Sequence, residues 1–251
     1  MRGPDGFLYA GARLQARYGP RTSPAAWRRL GGLPEAPEWL AGLASTELHP
    51  YLAGLEPGSG AHALERELRR RFRREVEAVA HWVPTGWRAS VRWTSRLPDL
   101  ALLAAVARGE APPEWAREAG SPVTTVASTA LREPDADTEA LLAAIAAGAW
   151  PVAAWVDLWR RRWARERTGP AASLRKLADD MVATLTTEPG VTAAGSDPLA
   201  RRLERSFRRH TRDAAGAAAF LVLRWLDTRR LCAGLAQRVL PGGAGNGNAG
   251  T

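Results

Sequence analysis

Arg92-Trp93-Thr94-Ser95-Arg96-Leu97-Pro98-Asp99-Leu100-Ala101-Leu102-Leu103-Ala104-Ala105-Val106-Ala107-Arg108-Gly109 has a counterpart far along the chain. The second stretch runs from Leu221 through Trp225, Leu226 and Asp227 to Leu231, Cys232, Leu235 and Arg238, and ends near Gly242. Aligned on Asp99 and Asp227, both have apolar residues six and two positions before the acid and four and eight positions after it. That spacing places the apolar side chains on one buried face of a helix. Neither stretch carries a reactive group. Helical modules repeated with no chemistry between them point to a mechanical or docking part, not a catalyst.

Outward from these stretches almost every segment reads as helix. Phe7 to Tyr18 has one apolar face and stops at Gly19-Pro20. Thr22-Ser23-Pro24 supplies capping hydroxyls and a first-turn proline for a helix through Trp27 and Leu30. Short helices are predicted near Pro37 to Leu43 and Thr46 to Leu55. His62 to Val83 is the clearest, with the stripe Leu64, Leu68, Phe72, Val76, Val79 and Val83. Gly86 to Leu97 and Asp99 to Ala107 follow. After looser segments punctuated by glycine and proline come Glu139 to Ala147, Val152 to Arg167 and Ala172 to Thr187. Ser196-Asp197-Pro198 starts a helical pattern that runs to about Leu240, with a break expected near Ala214 to Gly216. The expected class is all-α: one helical unit over 1–240, with repeat-like parts at about 7–109 and 137–240, and a flexible tail over 241–251.

The chain has 251 residues, 45% hydrophobic and 24% charged, enough apolar material for a sizeable core. No apolar run reaches the length of a membrane span. No apolar signal-peptide segment follows Met1 to Gly6, and the single cysteine, Cys232, cannot form an internal disulfide; both features fit the cytoplasm. Cys232 reads as a small buried hydrophobe. The formal charge of +9 implies an acidic surface among the partners, while the use of arginine for all basic residues but Lys176 reads as coding bias.

Catalytic and cofactor motifs are missing from the sequence. Lys176 has no glycine run before it, so a phosphate-binding loop is excluded. His49, His62, His81 and His210 lack the spacing or the cysteine neighbours of a zinc site. Gly58-Ser59-Gly60 is a loop before a helix, not a nucleophile elbow, and Asp179-Asp180 reads as a solvated pair.

Three charged constellations remain. Glu65 to Glu77 holds six arginines and four glutamates, with Glu65–Arg69 and Glu67–Arg71 as i, i+4 pairs, and reads as a solvated face. Trp155, Trp159 and Trp163 form a stripe among Arg160, Arg161, Arg162 and Arg165; it reads as core or subunit interface, with base stacking or membrane anchoring as the alternative. Between Pro198 and Asp213, Arg201, Arg205, Arg208 and Arg212 project to one side, with Arg202 and Arg209 beside them and only Glu204 and Asp213 opposing. Leu199, Leu203 and Phe207 can bury the opposite face. The face reads equally as solvated surface or as a docking surface; on the second reading these four arginines are the candidate partner-binding residues, for acidic groups on a partner or for anionic headgroups.

In order, these segments resemble the central-stalk d subunit (C in bacterial and archaeal systems) of V/A-type rotary ATPases. The resemblance rests on Phe7 to Leu14 as an opening helix and on His62 to Trp82 running into Pro84. It rests also on Arg96-Leu97-Pro98-Asp99-Leu100 with its Leu/Ala run, and on Ala218 to Gly242 with Asp227-Thr228-Arg229-Arg230-Leu231 as the final helix. It covers residues 7–109 and 196–242. Arg230 stands where the family commonly has Asn, and members are usually longer, with three helical modules in a funnel; here the third would be reduced. The resemblance implies a coupling subunit with no catalytic residue and no cofactor. It would sit peripherally on the cytoplasmic face of the bacterial inner membrane, between the proteolipid ring and the rotor shaft, supporting proton or sodium transport and taking neither nucleic acid nor a small-molecule substrate. The alternative is a basic helical nucleic-acid-binding protein, which predicts affinity that falls steeply with salt.

Overall fold

The computed structural model describes residues 4–19, 21–53, 61–112, 136–164, 171–187 and 197–239, and these form helices and turns with no strand among them. The fold is all-α. The predicted tail at 241–251, the links at 188–196 and 113–135, and Arg165 lie outside the described residues.

Four helices, α1 (Leu8–Tyr18), α2 (Pro24–Gly31), α3 (Ala36–Ala44) and α4 (His49–Leu52), lead into α5 (Ala61–Trp82). The Ser23 hydroxyl accepts from the Ala26 amide at 3.1 Å and Pro24 fills the first turn, so α2 begins where its capping residues stand. A 3-10 turn at Thr85–Trp87 opens α6 (Arg88–Trp93), and a 3-10 segment at Thr94–Asp99 leads to α7 (Leu100–Ala107). The rest comprises α8 (Ala136–Ala146), α9 (Pro151–Arg160), α10 (Ala171–Thr187), α11 (Asp197–Arg209) and α12 (Ala214–Val239).

The expected helix Gly86 to Leu97 is broken. Pro98 has no amide hydrogen, and its ring would strike the Thr94 carbonyl in α geometry, so the chain tightens into 3-10 form there. Asp99 therefore stands at the threshold of α7, while Asp227 stands inside α12. The alignment on the two acids still picks out the core: Trp93, Leu97, Leu103, Leu221, Trp225, Leu231 and Leu235 are buried, and Ala107 is half-buried.

The break between the last two helices falls at His210 to Asp213, ahead of the expected Ala214 to Gly216. Asp213 Oδ1 accepts from the amides of Ala215 at 2.8 Å and Gly216 at 3.2 Å, starting α12 as a side-chain cap. The corner is tight. A methyl group on Gly216 would overlap the His210 carbonyl, and one on Gly11 of α1 would lie 2.5 Å from the Thr211 carbonyl oxygen. Glycine is used here for close approach of backbone to backbone.

α12 is the axis of the molecule. It packs on α11, α5, α1, α10 and α3, and is buried without interruption from Ala214 to Thr228, as its nearly all-round apolar first half requires. The stripe of α5 is buried at all six predicted positions. A continuous core joins α1, α5, α6 and α7 to α8 through α12, and a smaller cluster gathers Leu30, Trp39, Leu43, Leu64, Leu68, Leu231 and Leu235 where the Trp39 ring packs close against Gly234.

Candidate functional site

Of the four arginines singled out from the sequence, three share one helix and the fourth does not. Arg201, Arg205 and Arg208 lie on the outer face of α11 and are exposed, with Arg202 and Arg209 beside them. Arg212 is exposed in the turn after the helix, because Asp213 has already begun α12. Leu199, Leu203 and Phe207 are buried on the opposite face, as expected. Phe207 packs on Tyr18 of α1 with ring centroids 4.4 Å apart. Burial and the nearby Glu204 carboxylate push the Tyr18 hydroxyl above its ordinary pKa, although Arg208 donates a hydrogen bond to it. Arg202 donates to the Thr184 hydroxyl at 3.2 Å.

The two acids in this segment are turned to internal duties. Glu204 accepts from Arg21 at 2.6 Å, and Asp213 caps α12 while its other oxygen lies 3.0 Å from His210 Nδ1. Among the described residues, neither of these acids forms an ion pair with the six arginines of the surface.

Beneath this surface lies a buried charge network that the sequence does not reveal. Asp227, 1% exposed, accepts both arms of the Arg21 fork, at 3.0 Å and 2.9 Å, with Arg230 at 3.6 Å. Arg224, one turn earlier, donates to Glu47 at 3.0 Å and to the Arg17 carbonyl at 3.1 Å, with Glu75 3.6 Å away. Glu47 also accepts the Thr22 amide at 2.8 Å, and the Tyr51 hydroxyl donates to Glu75. Asp99, also 1% exposed, is held by Arg69 at 3.0 Å and by Arg73 at 2.9 Å. Each aligned acid is thus gripped by two arginines, and in each case at least one comes from another helix or from the segment before it.

The run Glu65 to Glu77 is solvated only in part. Both predicted i, i+4 pairs exist, Arg69 on Glu65 at 2.5 Å and Arg71 on Glu67 at 2.8 Å, but Arg69 and Glu75 are buried. The exposed part is carried by Arg70 and Arg74, both on Glu67, and by Glu77, which takes Arg92. Asp179 is exposed and Asp180 half-exposed, taking Arg160 and Lys176.

Burial pushes the Glu75 carboxyl above the ordinary range, with Glu47 adding to the effect and Arg224 and Arg17 opposing it. Burial also works to lower Arg224, but Glu75, Glu47 and Asp227 outweigh it and hold the guanidinium charged. Because the folded chain binds the Glu75 proton more tightly than the unfolded chain, this stabilising contribution is complete below the unfolded value of 4.5 and is lost as pH rises through the folded value. Glu75→Gln is expected to flatten the decline of Tm as pH rises above 4.5. Thermal melts across that range check it, and an unchanged slope would assign the decline to other groups.

The tryptophan stripe belongs to the core. Trp155 and Trp159 are buried and stacked at 5.2 Å, and Trp163 is half-buried. Trp93 Nε1–H donates to the Trp155 carbonyl at 3.1 Å and Trp155 Nε1–H donates back to the Trp93 carbonyl at 3.3 Å, while Trp159 binds Ser90. Arg162 stacks over Trp93 at 3.9 Å. A crevice lined by Phe7, Trp87, Val91, Trp159 and Leu221 brings no titratable groups together. Cys232 is half-buried, and burial pushes its thiol up to about 12, leaving it protonated at neutral pH. Among the described residues no helix is long and apolar enough to cross a membrane, and no cluster of His, Cys, Asp and Glu is placed to hold a metal ion.

No family model, curated protein or solved structure matches this chain.

Proposed function

We propose that this chain is a non-catalytic central-stalk coupling subunit of a V/A-type rotary ATPase. It links the membrane proteolipid ring to the rotor shaft on the cytoplasmic face and so supports ATP-coupled proton or sodium transport. The supporting observation is the pair of acid-led segments, each with its acid buried and clamped by two arginines. A coupler must pass torque with little internal yield. Close-packed helices resist deformation, and forked ion pairs at buried points resist the sliding of one helix past another.

The nucleic-acid reading draws on the same arginine face, but of the tryptophans that base stacking would use, Trp155 and Trp159 are buried and Trp163 is half-buried. Co-expression with the proteolipid and shaft subunits tests the proposal: the chain is expected to co-purify with them in one complex. Recovery of the chain alone, together with binding to random duplex DNA that weakens steeply with salt, would transfer the assignment to the nucleic-acid reading.

A further inference from the structure

We propose that the arginine row of α11 docks onto an acidic helix of a partner protein through charge pairing, with no apolar insertion. The inference rests on the coupling-subunit reading only for the identity of that partner. Three observations carry it.

The first is a contrast within the molecule. On α5, exposed Arg70 and Arg74 share Glu67; elsewhere Arg92 pairs with Glu77, Arg108 with Glu110, and Arg160 with Asp157 and Asp179. On α11 the same residue type is as dense, yet Glu204 and Asp213 are committed to Arg21 and to the cap of α12. Arg205 has like charges at three and four positions on both sides, in Arg201, Arg202, Arg208 and Arg209. Such spacing is repulsive in the free protein. An acidic partner relieves that repulsion.

The second is spacing. Arg201, Arg205 and Arg208 follow i, i+4, i+7, a straight ridge of about 10 Å along the helix. Arg212 stands in the turn past the helix end, off this ridge, with its side chain beside Gly11 of α1. Guanidinium forks match carboxylates in pairs, and carboxylates at the same spacing on a facing helix would meet them one to one.

The third is the absence of a free apolar face on α11. A helix that lies in a bilayer buries its apolar side among acyl chains. Here Leu199, Leu203 and Phe207 are already used by the core, which leaves charge alone to face outward.

The test compares full-length protein with the variant Arg201→Gln/Arg205→Gln/Arg208→Gln/Arg212→Gln against three probes. These are a helical peptide with glutamates at i, i+4 and i+7, vesicles of phosphatidylcholine with phosphatidylglycerol, and a random DNA duplex. A peptide of the same composition with scrambled order is the control. The wild type is expected to bind the registered peptide at least about tenfold more tightly than the scrambled one, and the variant to lose that preference while its Tm stays level or rises. Equal binding of the two peptides overturns the proposal. So does tighter, arginine-dependent binding to vesicles, which assigns the row to lipid, or to DNA. A parallel co-purification with rotor subunits separates the two proposals: a variant that still assembles like wild type sinks this one alone, whereas a wild type that binds the registered peptide but never assembles sinks the coupling-subunit reading alone.

Discussion

Asp227→Ala is expected to remove about 3–5 kcal/mol of folding stability, the usual cost of breaking a buried ion pair from one side. The carboxylate is 1% exposed and takes two hydrogen bonds from Arg21, with Arg230 also close by. Once it is gone, the Arg21 fork keeps only Glu204, and two largely buried guanidinium groups face each other with less compensation. Water cannot readily reach them, because the Arg21 and Arg230 side chains are only 6% and 7% exposed. A domain of ordinary stability holds about 5–15 kcal/mol in total, so the loss takes a large share of it. For a chain of this size, Tm should fall by roughly 6–20 °C. Asp227→Asn retains the volume and some hydrogen bonding, and should lose less.

Asp99→Ala provides an internal comparison. One of its partners, Arg69, is buried, but the Arg73 side chain is 33% exposed and can turn to solvent. Its cost should therefore be smaller than that of Asp227→Ala. Urea unfolding followed by circular dichroism measures both. A loss below about 1 kcal/mol for Asp227→Ala would mean that the network is no structural clamp, and would remove the main support for the coupling proposal.

Single-face patterns within one helix are legible in the sequence; connections across the chain are not. The α5 stripe repeats by threes and fours, and all six of its positions are buried. The same arithmetic places Glu75 seven residues after Leu68 and three after Phe72, on the apolar side, so its burial is marked in the spacing once charge is not equated with exposure. Arg21 offers no such clue. Its partner Asp227 is 206 residues away, and nothing local to Arg21 distinguishes it from the exposed arginines.

The arginine row is legible as far as Arg208 and misplaced at Arg212, because helical periodicity carries no information about where Asp213 begins the next helix. Pro98 poses the reverse problem. It marks a break plainly, yet the apolar alignment runs through it, because 3-10 geometry turns the chain without losing the buried side. The tryptophan stripe stays ambiguous in sequence for a further reason: its mate, Trp93, lies 62 residues from Trp155.

That mating leads to the second large effect. Trp155→Ala is expected to cost about 3–5 kcal/mol, and packing, not hydrogen bonding, should dominate the loss. Trp155 is wholly buried and stacks on Trp159, so truncation leaves a void the size of an indole between α9 and α6. The hydrogen-bond share is smaller. Trp155 Nε1–H donates to the Trp93 carbonyl at 3.3 Å, but the reciprocal bond runs from the Trp93 indole to the backbone carbonyl of Trp155 and survives the substitution. Trp155→Phe separates the two terms, since it fills most of the space while leaving the Trp93 carbonyl short of a donor. Its cost should fall near about 1–3 kcal/mol, in the range for one buried group left unsatisfied. If Phe proves as damaging as Ala, the reciprocal bonds hold α6 to α9; if both cost under about 1 kcal/mol, α9 is not locked to α6 and a stiff link between the two halves of the core is lost. Denaturant melts of the three proteins decide between these outcomes, with retained far-ultraviolet dichroism confirming that the helices themselves persist.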